Sequence, residues 1–491
     1  MFTNRKHTFA MLLAALLLTV SALTACGGGE SAEETAGETT AQAAETTAET
    51  EETKYVADYL PDVTYDGYQY RIISYDEYPA HVEELTGEVI DDAIFARNTL
   101  IEETYDIEIL QELYPFTEYT KVTDLMTNAG RAQSDDFDLA TLVFRGAYYA
   151  VLEGTAPAAS SLPIADLTQP WYIQSTNDGL TIDGVTLLGF TAFDSNPGGT
   201  GLIFNKDIIT DLGLDNPYDL MDEGTWTSEN MYKMAEAAIN DLNGDGQMTA
   251  DDRFGFITEW DRMSMVAYAG TGNLLVDIID GIPVASQSEA LIDAFTMAVE
   301  YCSLPGFMLD TFQEYGTAES SRVQGRELFK QGGGLFICTG TSSLTTMGDM
   351  ESDYGLVPFP KWTEEQDRYY TMFDIDIITV PLSCSQDLER VCVIKEALAV
   401  ESLNINHPAY YENALKNRYL RDEKSLEMLE IITSSVVPDL GQNPWWDIVR
   451  VPWQDTMSKK GTEFASAVQK NMPKSEAAIA DLMEMVESLK G

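Results

Sequence analysis

The chain has 491 residues, with 81 Asp and Glu against 29 Lys and Arg and a formal net charge of −52 at pH 7. So acidic a composition argues against a nucleic-acid-binding protein, which needs a basic face, and against a domain held flat on anionic lipid. The length exceeds that of one ordinary core and predicts at least two domains.

Residues 1–25 have the three parts of an export signal. Arg5 and Lys6 give a positive start, an apolar stretch follows over residues 9–20, and small residues precede Cys26. The stretch is shorter than the roughly 18–20 apolar residues of a membrane-spanning helix. The sequence Leu23-Thr24-Ala25-Cys26-Gly27 resembles a bacterial lipobox, which implies that Cys26 is lipidated (a palmitate-type modification) and becomes the first residue of the mature chain. An ordinary signal peptide with a chance cysteine is the alternative.

Residues 26–54 form a second segment of distinct composition. After Cys26 it consists almost only of Glu, Thr, Ala, Ser and Gly, and up to residue 53 it has no aromatic and no large aliphatic side chain. Such a chain cannot bury enough apolar surface to offset its conformational entropy, so we expect a disordered acidic linker. It is interpreted as a spacer between a membrane and a folded body, or as low-complexity sequence of no particular length.

The first elements after residue 55 alternate between strands and helices. Apolar runs predict strands at 68–74, 107–110 and 137–144, and apolar residues at helical spacing predict helices at 89–105 and 119–129. This order is typical of a parallel sheet covered on both faces. Because such sheets bind ligands at the carboxyl ends of their strands, the loops after Ser74 and Phe144 are candidate binding loops.

The rest of the chain continues as an α/β pattern with a helical C-terminal third. A strand is predicted at 185–190, before a turn-rich break, and a helix at 228–240, with Ser228 able to cap it. Further strands are predicted at 253–257, 333–337 and 354–360, and further helices at 288–302, 387–403, 425–433 and 474–489.

Cysteine and histidine supply little chemistry. The spacings of Cys302, Cys338, Cys384 and Cys392 fit no zinc pattern, and disulfides are possible outside the cell but not indicated. After cleavage of the signal only two histidines remain, which makes a histidine-based triad or zinc site improbable.

Several short motifs resemble the family-1 extracellular solute-binding proteins of ABC importers, which include maltose- and oligosaccharide-binding proteins. They are Leu202-Ile203-Phe204-Asn205-Lys206-Asp207, Pro217 and Gly224-Thr225-Trp226, and stretches at 92–98, 354–362 and 410–422 resemble clostridial members. The resemblance covers essentially all of the chain after residue 55. It implies a two-lobed, type II periplasmic-binding-protein fold with an interlobe cleft and crossings near 194–198, 374–379 and 403–407. Lobe 1 would comprise 55–194 and 378–404, and lobe 2 would comprise 198–374 and 405–491.

Sugar binding needs flat aromatic faces and a few fixed polar groups. Trp446 matches the position of a sugar-stacking tryptophan in the family, and adjacent residues cannot usually both face one core, so at least one of Trp445 and Trp446 is expected in the cleft. Arg145 suits a carboxylate or a sugar diol, or forms a surface ion pair instead. Asp194 either faces the ligand or is purely structural. The other candidates lie at strand ends and rims: Tyr75, Asp76, Phe144, Trp260, Asp261, Thr341 and Ser342.

A separate segment matches the spacing of an EF-hand calcium loop. Counted from Asp241, oxygen-bearing side chains fall at the ligand positions and Gly246 falls at position six, where the loop turns sharply. The candidate ligands are Asp241, Asn243, Asp245, Gln247 and Asp252. Asp252 replaces the usual longer Glu, and an acidic turn without metal is the alternative to a structural calcium.

The resemblance implies a binding protein without catalysis: a monomeric lipoprotein on the outer face of a Gram-positive cell membrane, held there only by its lipid anchor. It would capture a carbohydrate, in particular an oligosaccharide, for the permease of an ABC transporter. A secreted carbohydrate-active hydrolase and a surface sensor lipoprotein with a non-sugar ligand are the alternatives. The sequence contains no feature that singles out a catalytic pair of carboxylates.

Overall fold

The structure is a computed structural model that describes residues 54–194, 198–373, 377–416 and 419–490. The export signal, Cys26 and the acidic segment up to residue 53 lie outside the described residues, as do 195–197 and 374–376 at two predicted crossings. Within the described ranges, no helix combines the length and the apolar composition needed to cross a bilayer.

The strands and helices follow the predicted α/β order. The strands are β1 (Tyr68–Tyr75), β2 (Ile107–Tyr114), β3 (Leu139–Val143), β4 (Thr181–Ile182), β5 (Val185–Thr186), β6 (Thr200–Asn205), β7 (Phe254–Thr258), β8 (Val276–Ile279), β9 (Ile282–Ala285), β10 (Met308–Asp310), β11 (Gly334–Gly340), β12 (Tyr354–Val357) and β13 (Ile377–Pro381). The α-helices are α1 (Val89–Tyr105), α2 (Tyr119–Ala132), α3 (Phe144–Leu152), α4 (Gln174–Gly179), α5 (Lys206–Leu212), α6 (Pro217–Glu223), α7 (Ser228–Ala237), α8 (Trp260–Ala269), α9 (Glu289–Cys302), α10 (Thr311–Tyr315), α11 (Ala318–Lys330), α12 (Leu388–Glu401), α13 (His407–Lys416), α14 (Glu423–Ser434), α15 (Arg450–Ser458) and α16 (Phe464–Lys490).

The first sheet has the strand order β13-β3-β1-β2. β1 is parallel to β2 and β3, and β13 is antiparallel to β3. Tyr70 and Ile72 of β1 are buried in one apolar cluster with Ile394 and Leu398 of α12. The alternation of strands and helices in the sequence therefore predicted the parallel part of this sheet correctly.

The second sheet has the order β10-β7-β11-β6-β12. β7 is parallel to β10 and β11, whereas β6 is antiparallel to β11 and β12. Every residue of β6, β7, β11 and β12 is buried. The sheet is therefore covered on both faces and offers its surroundings only the ends of its strands.

The first sheet is built from two separate stretches of chain, with all strands of the second sheet between them in the sequence. The chain forms β1–β3 of the first sheet, then β6–β12 of the second, and returns to the first with β13. Later, α12 packs on α1 beside the first sheet, a wide π-helical turn spans Ser402–Asn406, and α14 packs on β12 of the second sheet. The exact lobe boundaries remain predictions.

Two local predictions differ from the structure. The apolar run at 185–190 pairs as a strand only over Val185–Thr186, because the amides of Leu187 and Phe190 donate to the Leu180 carbonyl and the Asn177 side chain instead. The helix at 228 is capped by Thr227, whose hydroxyl accepts from the amide of Asn230, whereas Ser228 is buried. Both differences depend on tertiary contacts that periodicity does not report.

Candidate ligand-binding cleft

A cleft with a volume of about 1100 Å³ is lined by residues of both sheets and of the chain segments between them. β3 ends at Val143 and α3 begins at Phe144, so the end of this strand places Arg145 directly in the lining. From the second sheet, the carboxyl ends of β7 and β11 contribute Thr258 and Thr339. The cleft is at the upper end of the roughly 300–1,000 Å³ of small-molecule sites, so it has room for more than one sugar ring.

The adjacent tryptophans face different surroundings. Trp445 is 1% exposed and packs edge-on against Tyr148 in the core. Trp446 is 40% exposed and lines the cleft. The guanidinium carbons of Arg145 and Arg450 lie 5.8 and 5.5 Å from the centroid of its ring. Trp446 is therefore an aromatic surface with two cations beside it.

Arg145 lies in the cleft and also forms the ion pair that the sequence left as the alternative. Its Nη1 is 3.1 Å from Oδ1 of Asp447, and its guanidinium contacts the ring of Tyr149. Phe144 next to it is fully buried and packs edge-on against Phe190 and Phe373. Phe144 thus forms part of the apolar floor and presents no free face for stacking.

Three candidates support the cleft without lining it. Tyr75 is buried, and its hydroxyl donates to the carbonyl of Tyr119. Asp76 accepts the amide of Phe116, which does line the cleft. Asp194 accepts the amide and hydroxyl of Thr191 and, at 2.6 Å, the amide of Thr379 in β13. Asp194 therefore links Thr191 to the backbone of β13, and it is not among the residues that line the cleft.

On the second-sheet side, Asp261 and Ser342 line the cleft, whereas Trp260 and Thr341 do not. Trp260 is half-buried against the main core. Thr341 is buried, and its hydroxyl accepts the amide of Gly199. Both residues are next in sequence to a residue that lines the cleft, Asp261 and Ser342 respectively.

Glu259 and several arginines also line the cleft on the side of the second sheet, and the sequence did not predict them as site residues. Glu259 is buried, and its Oε1 lies 3.5 Å from Nε of Arg322. Burial and the charge of Asp261 raise the pKa of Glu259, while Arg322 opposes this shift. Arg322 and Arg326 follow each other after one turn of α11, and Arg262 lies on α8. Helical spacing predicts that Arg322 and Arg326 share one face of α11. The sequence contains no pattern that predicts that they line the same cleft as Arg145.

The segment that carries Trp446 is fixed by Asp439, which the sequence reading also missed. Its carboxylate accepts the amides of Leu275 at 2.7 Å, Val276 at 3.1 Å and Gly441 at 2.8 Å. Burial raises its pKa from 3.8 to about 6, against the opposing effect of these hydrogen bonds. The side chain of Gln442 accepts the hydroxyl of Tyr268 nearby. Asp439 thus ties the 439–446 segment to the start of β8.

The predicted calcium loop is an exposed turn held by its own side chains. Asp241 accepts the amides of Gly244 and Gly246, and Asp245 accepts that of Gln247. Asn243 accepts the amide of Asp245, and the buried Asp252 accepts those of Leu242 and Thr249. Among the described residues, no group of three or more His, Cys, Asp and Glu side chains is close enough to hold a metal ion.

No disulfide pairs the four cysteines of the described residues. Cys302, Cys338 and Cys392 are buried, and Cys384 is half-buried. Burial raises the pKa of the Cys302 and Cys392 thiols to about 12, so neither is a nucleophile at neutral pH.

No protein-family model matches the chain, and no curated protein matches its sequence. Solved structures do match. A sugar transporter from Rhizobium etli in an open conformation has a TM-score of 0.57 and 17% identity, over 82% of this chain and 98% of that one. MalX from Streptococcus pneumoniae in complex with maltopentaose has a TM-score of 0.53 and 12% identity, over 83% and 100%. The maltose/maltodextrin-binding domain MalE from Bdellovibrio bacteriovorus bound to maltotriose has a TM-score of 0.52 and 14% identity, over 83% and 100%. The chain therefore has the two-lobed fold of these proteins, which the sequence resemblance implied.

Replacing Asp439 by Asn should change the pH dependence of stability. Because the folded pKa lies above the unfolded one, the folded protein retains a proton that the unfolded chain releases between about pH 4 and 6. This contribution is fully present below about pH 4 and is lost as the pH rises through 6. The stability advantage of the wild type over Asp439→Asn should therefore shrink, by up to roughly 3 kcal/mol, between pH 4 and 7.

The measurement is urea unfolding of both proteins across this pH range. Asp447→Asn, at an exposed carboxylate of the same segment, is the control and should follow the wild type. Parallel curves for wild type and Asp439→Asn would contradict the role of the Asp439 carboxylate.

Proposed function

We propose that the chain is a family-1 extracellular solute-binding protein that captures a carbohydrate and delivers it to the permease of an ABC transporter. One observation carries this proposal: an exposed tryptophan, Trp446, lines a cleft formed by the carboxyl ends of strands in both sheets. A cleft with a flat apolar face among fixed polar groups suits sugar rings. Fold neighbours whose structures hold maltopentaose and maltotriose support the same ligand class.

The arrangement supports binding rather than catalysis. The neighbours are named as a transporter and as binding proteins, and the sequence motifs resemble the same class. A glycoside hydrolase needs two carboxylates on either side of the scissile bond. In the cleft, the buried Glu259 is paired with Arg322 and the buried Asp439 is occupied by three backbone amides. These two buried carboxylates are therefore engaged in holding the protein together, which leaves Glu77, Asp124 and Asp261 as the other carboxylates of the lining.

Binding would act by closing the cleft. The chain changes sheet between β3 and β6 and again between β12 and β13, and Met372 and Phe373, which precede β13, line the cleft. A ligand that contacts both walls favours the closed form by as much as its contacts there exceed those in the open form. A permease that recognises only the closed form would then receive only loaded protein.

A thermal-shift screen followed by calorimetry tests the ligand class. A panel of neutral and acidic oligosaccharides, amino acids and short peptides should give at least one saccharide that raises the melting temperature, because a ligand of the native state stabilises it by mass action. Trp446→Ala should weaken that saccharide by about 1–2 kcal/mol or more. Trp362→Ala removes a half-buried tryptophan outside the cleft lining and should leave the affinity unchanged.

The carbohydrate proposal fails if a peptide or amino acid shifts the melting temperature and no saccharide does. If Trp446→Ala is folded and binds the saccharide as well as the wild type, the site lies elsewhere.

The proposal also includes a lipid anchor at Cys26 on the outer face of a Gram-positive membrane. The lipobox-like sequence and the acidic, apolar-poor residues that follow it support this location. Cys26→Ser should move the protein from the membrane fraction to the medium, because a serine cannot carry the thioether-linked lipid. Fractionation and labelling with a clickable palmitate analogue measure this. An unlabelled wild-type protein, or a Cys26→Ser variant retained as strongly as the wild type, would contradict the anchor.

A structural calcium in the 241–252 loop is a further part of the proposal. The loop brings the oxygens of Asp241, Asn243 and Asp245 into one tight turn, and Gly246 takes the positive φ of 80° that a sharp turn requires. Because the carboxylates of Asp241 and Asp245 already accept backbone amides, they would coordinate the metal through their remaining lone pairs. Its role would be to fix the connection between α7 and β7.

Calorimetry with CaCl₂ decides this point. Wild-type protein should bind one calcium, and Asp241→Ala and Asp245→Ala should abolish the binding because each removes a carboxylate ligand. Asp251→Ala, an exposed neighbour at a non-ligand position, should bind as the wild type does. Equal binding by all four proteins would remove the loop from consideration.

A further inference from the structure

The cleft concentrates arginine in an otherwise strongly acidic chain. The whole chain has 29 Lys and Arg against 81 Asp and Glu. No lysine is among the lining residues of the cleft, but five arginines are: Arg145, Arg262, Arg322, Arg326 and Arg450. The lining carboxylates are also five: Glu77, Asp124, Glu259, Asp261 and Asp439. The cleft is thus formally neutral, although the chain as a whole has a net charge of −52.

Two of these carboxylates hold their negative charge weakly. Burial raises the pKa of Asp439 to about 6 and also raises that of Glu259. An arginine side chain stays charged throughout the physiological range. The charge balance of the cleft therefore moves to the positive side as the pH falls toward 6.

Two arginines lie beside the exposed aromatic ring: Arg145 follows the end of β3 in the first sheet, and Arg450 begins α15, which packs on α8. Arg145 and Arg450 both lie within 6 Å of the Trp446 ring centroid. Arg145 uses one nitrogen, Nη1, for Asp447, which leaves its other donors available in the fork. Nε of Arg450 is buried and has no hydrogen-bond partner among the described residues. An acidic group on a ring that stacks on Trp446 would meet guanidinium donors at its edge.

On the side of the second sheet, three more arginines lie on helices. Arg322 and Arg326 lie on neighbouring turns of α11, and Arg262 lies on α8. Arg322 approaches Glu259 through Nε, and its side chain is 46% exposed. The arginines therefore occupy both walls of the cleft, so a ligand with acidic groups on more than one ring could engage both walls at once.

We infer that the ligand is an acidic oligosaccharide, one that carries carboxylates on its rings as uronic acids do. This inference rests on the proposed function, because it specifies the saccharide class for the same cleft. A carboxylate fits the planar fork of a guanidinium with two parallel hydrogen bonds, a geometry that arginine offers and lysine lacks. A neutral sugar can accept hydrogen bonds from guanidiniums but does not neutralise their charge. An anionic one needs them, because the rest of the protein repels it.

The test compares ligands of one shape that differ in charge. Calorimetry of the purified protein is done with trigalacturonate, its fully methyl-esterified form and maltotriose, at low and at high NaCl. We expect trigalacturonate to bind about 10- to 100-fold more tightly than the ester, since a hydrogen bond to a charged group is lost with each esterified carboxylate. Its affinity should fall with salt, and that of any neutral sugar should not.

Variants locate the effect. Arg450→Gln and Arg322→Gln should each weaken trigalacturonate by about 10- to 100-fold and leave the ester unchanged. Arg131→Gln makes the same change in net charge at an exposed arginine outside the cleft and should bind trigalacturonate as the wild type does. The comparison of acid and ester on wild-type protein needs no variant, so a misfolded variant leaves the test intact.

The outcomes separate the two proposals. If maltotriose or the ester binds as tightly as trigalacturonate, the acidic ligand is wrong and the carbohydrate proposal stands. If no saccharide binds, neutral or acidic, both proposals fail. A sulfated galactose oligosaccharide without carboxylates is tested as well. If it binds and trigalacturonate does not, the inference that the ligand carries carboxylates is wrong.

Discussion

A sheet that is covered on both faces offers only its strand ends, and this constraint locates the cleft. In β6, β7, β11 and β12 every residue is buried, so no face of the second sheet is open to a ligand. The first sheet shares one of its ends with this opening through Val143 and Arg145. Because the chain contributes segments to both sheets in turn, the two sets of strand ends are coupled by its passages between them. The position of the cleft and the residues that line it both follow from this arrangement.

Many carboxylates of this acidic chain act on the protein's own backbone. Asp76, Asp194 and Asp439 each accept backbone amides, at the Phe116 loop, at the start of β13 and at the start of β8 respectively. A carboxylate that accepts amides stabilises an irregular segment whose N–H groups would otherwise be buried unpaired. These three acids therefore fix loops around the cleft, whereas Glu77, Asp124 and Asp261 line it together with the arginines and Trp446.

The sequence predicted the regular elements well because periodicity reports local burial. The helix at 89–105 coincides with α1, and the strand–helix order of the first sheet is the observed one. The sequence also predicted that Trp445 and Trp446 have different surroundings, because neighbouring side chains point to different sides. By contrast, Arg262, Arg322 and Arg450 lie far apart in the chain and meet only through the fold. No local pattern marks them, just as none distinguishes a loop acid such as Asp194 from a ligand-binding one.

The net negative charge of the whole chain and the arginines of the cleft would affect different steps of ligand binding, namely association and dissociation. The net charge of −52 acts at long range, whereas a ligand in the cleft would lie within a Debye length, about 8–10 Å, of the lining arginines and of the carboxylates that balance them. For an anionic ligand, added salt screens the overall repulsion and speeds association, while it also weakens the guanidinium contacts and speeds dissociation. Salt therefore raises both rate constants, and the affinity reports only their ratio. A neutral ligand would show neither effect, so the kinetics in salt distinguish a cleft built for charge from one whose arginines merely balance neighbouring acids.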